Sequence, residues 1–142
     1  MEMQKKKIPK LLVVTHGSFG EEIIKSAEMI IGKQKNIKAV SLFPGVDLGE
    51  FLVQIKNEIN EASDEVLILC DLFGGTPSNV SASLLSEYNA YAVTGLNLAM
   101  LIEACTMRET LNGWELVKDV LNAATIGCKN LNKEIKNMED SI

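Results

Sequence analysis

Cysteine is scarce, and the three present, Cys70, Cys105 and Cys128, are widely spaced with no Cys-x-x-Cys pair. An odd, scattered set supplies neither a disulfide framework nor a zinc site, and it fits a reducing cytoplasm. Cys70 and Cys105 lie in apolar stretches, where a thiol behaves as a small buried hydrophobe. Basic clusters are also missing beyond Lys5-Lys6-Lys7, and the formal net charge is -5. That balance argues against nucleic acid as a partner, since no surface is built to neutralise a phosphate backbone. The lysine run precedes Ile8-Pro9 without the apolar stretch of a signal peptide, so residues 1–9 read as a solvated polar tail. No run approaches the roughly 20 apolar residues needed to span a bilayer. Aromatic residues are only 5% of the chain, too few to favour a flavin sandwich. Internal repeats, low-complexity segments and long linkers are absent.

What is present suits one globular domain over residues 1–142, with 46% hydrophobic and 23% charged residues. Short apolar runs alternate with amphipathic stretches. Leu11-Leu12-Val13-Val14 reads as a strand, and Ile23, Ile24, Ala27, Ile30 and Ile31 as the apolar face of a helix. Ser18 with Glu21 has the spacing of a capping box, and Gly32 stands where that helix ends. A second strand is expected over Ile37–Leu42, then Asp47 and Glu50 open a helix with Leu48, Phe51, Leu52, Ile55 and Ile59 on one face. Val66–Cys70 is apolar throughout, as in a parallel strand covered on both faces. Thr76-Pro77 starts the next helix. A fourth strand at about 90–93 leads to a helix bearing Leu98, Leu101, Ile102 and Cys105. A final helix is expected at about 115–126, ended by Gly127, after which residues 127–142 continue as a polar tail whose Leu131 and Ile135 leave periodicity open to either a helix or a frayed end.

This alternation predicts an α/β fold: an open, mainly parallel sheet in the order 2-1-3-4 with helices on both faces. In that order strands 1 and 3 meet at the switch point, and their carboxyl ends form the ligand crevice. The only histidine, His16, and Asp71 follow those two strands. A neutral imidazole is a good nucleophile toward phosphorus if its second nitrogen keeps the proton, and a carboxylate can hold that proton and stabilise positive charge on the ring. Gly17 and Ser18 at one helix start, and Gly74-Gly75-Thr76 at another, would offer backbone N–H groups to the phosphoryl oxygens.

With Leu-Leu-Val-Val-Thr-His-Gly at 11–17 and Asp-Leu-Phe-Gly-Gly-Thr-Pro-Ser-Asn at 71–79, the chain resembles the IIA component of mannose-family sugar phosphotransferase systems. Ala27-Glu28-Met29, Phe43-Pro44-Gly45 and Gly95-Leu96-Asn97 extend the match over nearly the whole chain. The resemblance implies a phosphohistidine carrier that takes phosphate from phospho-HPr on His16 and passes it to the IIB component. Sugar would be phosphorylated later at the membrane by way of the IIC and IID components. It further implies that Asp71 bonds Nδ1 of His16, that Nε2 is phosphorylated, that Thr76 helps hold the phosphoryl oxygens, and that neither metal nor other cofactor takes part. The protein would be cytoplasmic, associated peripherally with its transporter. It would also be a homodimer in which the segment near the C-terminus, about Cys128 to Ile135, exchanges as an antiparallel edge strand. Two departures stand out: Ser18 where some members carry an aromatic, and Ala99 where many have proline.

Competing readings fit less well. A receiver domain would phosphorylate Asp71 itself with Mg²⁺ held by acidic residues after strand 1, where this chain has Thr15-His16. A histidine phosphatase needs arginine in place of Thr15, and a hydrolase lacks its Gly-x-Ser-x-Gly elbow. A regulatory module sensed through the phosphorylation state of His16 is the remaining alternative.

Overall fold

A computed structural model of the chain describes residues 7–141. Residues 1–6 of the expected tail, with Lys5 and Lys6, and Ile142 lie outside the described residues. Four parallel strands, β1 (Lys10–His16), β2 (Ile37–Leu42), β3 (Val66–Cys70) and β4 (Ala90–Val93), form one sheet in the order β2-β1-β3-β4. This is the expected doubly wound order. Its two central strands are the two that carry His16 and precede Asp71, paired from Lys10 with Val66 to Val14 with Cys70.

The helices are α1 (Phe19–Ile31), α2 (Leu48–Glu61), α3 (Thr76–Ala82), α4 (Leu98–Met107), α5 (Gly113–Ile126) and α6 (Leu131–Asp140). Alternation along β1 sends Leu11 and Val13 to one face, where they pack with Ile23 and Ala27 of α1, Leu101 of α4, and Leu116 and Val120 of α5. Leu12 and Val14 point to the other face, against Phe51, Ile55 and Ile59 of α2. Every residue of β3 is buried, so the strand next to the site has no solvated side on which to shift register. Asp47 caps α2 by accepting the Glu50 N–H at 3.1 Å.

Two local expectations need correction. The Ser18–Glu21 capping box does not form: Ser18 has nearly helical angles, φ -81 and ψ 6, and its side chain makes no cap bond. A capping side chain reaches back from an extended backbone. Buried Thr15 does the work instead, its Oγ1 accepting the Gly20 N–H at 2.9 Å. In addition, residues 131–140 are helix within the single chain, not an edge strand. Asn130 caps α6 by accepting the Lys133 N–H at 3.2 Å. The exposed Leu131, Ile135 and Met138 recur at helical spacing and give it an apolar stripe.

Buried Arg108, at the end of α4, joins the amino-terminal side of the sheet to the loop after α1. Its guanidinium donates to the carbonyls of Pro9 (3.2 Å), Asn36 (2.8 Å) and Lys35. Burial lowers its pKa from the ordinary arginine value. No helix among the described residues is long and apolar enough to cross a membrane.

Candidate functional site

His16 closes β1, and Asp71 is the first residue after β3, 55 positions later in the chain. Adjacency of those strands brings them together. One carboxylate oxygen, Oδ2 of Asp71, accepts the His16 backbone N–H at 2.9 Å and lies 2.8 Å from Nδ1 of the ring. A nitrogen facing a carboxylate carries the proton, because two lone pairs would repel. Nε2 is then left with its lone pair free. The His16 side chain is 49% exposed and that of Asp71 15%, so the imidazole is open to a partner while the carboxylate bonded to it is enclosed.

The ring lies against the turn after β3. A Cβ built on Gly75 would stand 2.9 Å from Cε1 of His16 and 3.5 Å from Nε2, so the edge bearing the free nitrogen faces Gly74-Gly75-Thr76. Gly74 turns the chain there with φ +84, a left-handed conformation natural to glycine.

The five residues expected to surround a phosphoryl group divide into two sets. The Gly17 N–H donates to the Leu42 carbonyl at 2.7 Å, that of Gly74 to Ser78 Oγ at 3.1 Å, and that of Gly75 to the Leu72 carbonyl at 3.3 Å. These three shape the turns, and their N–H groups are not free for an anion. The N–H groups of Ser18 and Thr76 have no partner among the described residues, and they remain as backbone donors.

Of the surface around the pair, the sequence pointed only to Phe73 as an aromatic near the cleft, with docking and core roles equally open, and it missed Phe19 and Phe43. Phe19, Phe43 and Phe73 are three of the four phenylalanines, and all are exposed, Phe73 by 85%. Phe19 follows His16 by one turn of chain, Phe43 follows the Leu42 that bonds Gly17, and Phe73 follows Asp71. Each thus sits just past a strand end on the side of the sheet that holds the site. Position after a strand end was the available signal. Glu21 and Glu22 at the start of α1, and Asp47 and Glu50 at the start of α2, add acidic groups to the same side.

The fold and the pair define a class, the doubly wound α/β proteins with a histidine at the switch point. Residues 10–121 match the sequence profile of the family described as "PTS system fructose IIA component". The chain is 33% identical over 115 residues to the fructose-specific EIIA component of Bacillus subtilis, covering 79% of this chain and 76% of that one. It is 28% identical over 102 residues to the mannose-specific EIIAB component of Escherichia coli K12, covering 70% of this chain and 32% of that longer one. Among solved structures, phosphotransferase system component EIIA from Streptococcus agalactiae superposes with TM-score 0.84 at 32% identity, over 89% of this chain and 99% of that one. The mannose/sorbose specific IIA subunit from Enterococcus faecalis gives TM-score 0.81 at 32% identity, over 87% and 94%. The chain belongs to the mannose-family EIIA components of the sugar phosphotransferase system, a family of phosphotransfer proteins.

Proposed function

We propose that this protein is a phosphohistidine carrier, one cytoplasmic domain over residues 1–142, which takes a phosphoryl group from phospho-HPr on His16 and hands it to a IIB component. The observation that carries the reading is the single Asp71 oxygen bonded to both the backbone N–H and Nδ1 of His16. In the forward step the Nε2 lone pair attacks phosphorus as the bond to the donor breaks, the donor leaving with that electron pair. The Nδ1 proton stays on the ring, and the Asp71 carboxylate offsets the positive charge the ring gains. Return of the Nε2–P electrons to the ring releases the group to IIB. Such transfer rests on positioning and electrostatics, and the Ser18 and Thr76 N–H groups, with the Thr76 hydroxyl, receive the phosphoryl oxygens.

The exposed phenylalanines with Leu72 form an apolar rim that suits successive docking of two protein partners. The unpartnered apolar stripe of α6 supports assembly as a homodimer, and the acceptor brings the protein to the membrane IIC and IID components. Phosphoryl labelling tests the reading. Phospho-HPr should label the wild type once and His16→Ala not at all, and IIB should remove the label. Normal labelling of His16→Ala, or a base-labile acyl phosphate on Asp71, would overturn it.

A further inference from the structure

Gly74 and Gly75 are adjacent glycines with opposite reasons to be glycine. Gly74 has φ +84 with nothing within 4 Å of a built Cβ, so its requirement is conformational. Gly75 has φ -81 and ψ 166, extended angles that any residue adopts. Its requirement is space, and the space is filled by one group: Cε1 of His16 at 2.9 Å from the missing Cβ, closer than real Cβ contacts come.

We propose that Gly75 is a positioning residue for His16, its missing Cβ being the seat in which the imidazole edge rests so that Nδ1 meets Asp71 while Nε2 faces the turn. The proposal rests on the reading of His16 as phosphoryl acceptor. An alanine methyl would need the ring to retreat about half an ångström to an ordinary contact of 3.4 Å, or to swing about its own bond. The ring is not free to yield, because its Nδ1 is held 2.8 Å from an oxygen that also holds the His16 backbone. Retreat therefore misaligns the hydrogen bond that sets the tautomer, and bonds of this kind weaken steeply with angle. The chain around residue 75 has no comparable objection: the other atom near the built Cβ is the Leu72 carbonyl oxygen at 3.5 Å, an ordinary contact.

The test compares Gly75→Ala with wild type in the full chain, using phospho-HPr as donor. The maximal labelling rate should fall about ten- to hundredfold with the KM for donor unchanged, since a displaced reacting atom costs rate and not docking. The ¹⁵N spectrum of the unphosphorylated imidazole should move from the single Nδ1–H tautomer to a mixture. An unaltered rate and tautomer would overturn the proposal. A loss confined to KM would do so too, as would loss of cooperative thermal unfolding, which would make Gly75 a requirement of the fold and not of the ring. Labelling of His16→Ala at the wild-type rate would instead remove the carrier reading, whereas the tautomer comparison does not depend on labelling.

Discussion

Asp71→Asn is expected to slow phosphoryl acceptance by about tenfold or more in a chain that still folds. The carboxylate oxygen accepts two bonds, at 2.9 and 2.8 Å, from the backbone and ring of one residue. Bonds to a charged group contribute about 1.5–3 kcal/mol against about 0.5–1.5 for neutral partners, so the amide gives up about 1–1.5 kcal/mol where the ring becomes positive. Each ~1.4 kcal/mol is tenfold in rate. Asparagine has two ways to sit. With its oxygen toward the ring, the NH₂ occupies the place of Oδ1, which is buried without a partner, and the cost falls on stability. With NH₂ toward the ring, Nδ1 must accept, Nε2 takes the proton and the reacting lone pair is lost, so the rate falls well beyond tenfold. Rapid-quench labelling with phospho-HPr, beside thermal unfolding, separates the two. A folded Asn variant labelled within about twofold of wild type would refute the orienting role.

Phe73→Ala should change stability by no more than about 0.5 kcal/mol, since the ring is 85% exposed, yet raise the KM for phospho-HPr about tenfold if the ring anchors a partner. Steady-state labelling against donor concentration measures it. Arg108→Ala strands the Pro9 and Lys35 carbonyls, while Asn36 keeps the Leu11 N–H, and should cost about 2–3 kcal/mol in urea unfolding, with the labelling rate of the folded protein unchanged because Arg108 lies at the opposite end of the sheet. Burial pushes the Cys70 thiol up to about 11, and burial also raises that of Cys105. At about pH 8 the Cys70 thiol is therefore protonated and enclosed. Iodoacetamide should modify only exposed Cys128 in the folded protein and all three cysteines in urea, as mass spectrometry would show.

Strand and helix order were legible because the apolar periods change cleanly from continuous runs at 11–14 and 66–70 to helical spacing at 23–31 and 48–59. The meeting of His16 with Asp71 followed from topology alone, since strands 1 and 3 had to be neighbours at the switch point. What stayed hidden depends on atoms that sequence spacing does not report. Ser18 and Glu21 have the spacing of a capping box, but the box also needs an extended Ser18, and the backbone there is nearly helical. Which N–H groups of the glycine turns are free depends on who accepts from them, and Gly17 meets a carbonyl from β2. The segment at 131–140 has too few apolar residues for periodicity to settle it. Asn130 tips it to helix by capping it.

The shared Asp71 oxygen ties the readiness of His16 to the progress of folding. A chain that has made β1 but not docked β3 holds His16 without the carboxylate that sets its tautomer. Only after residues 66–71 insert beside β1 do ring and main chain lock on one atom. Under the proposed carrier function, competence to receive a phosphoryl group would report the finished sheet, and a nascent or damaged copy would draw little phosphate.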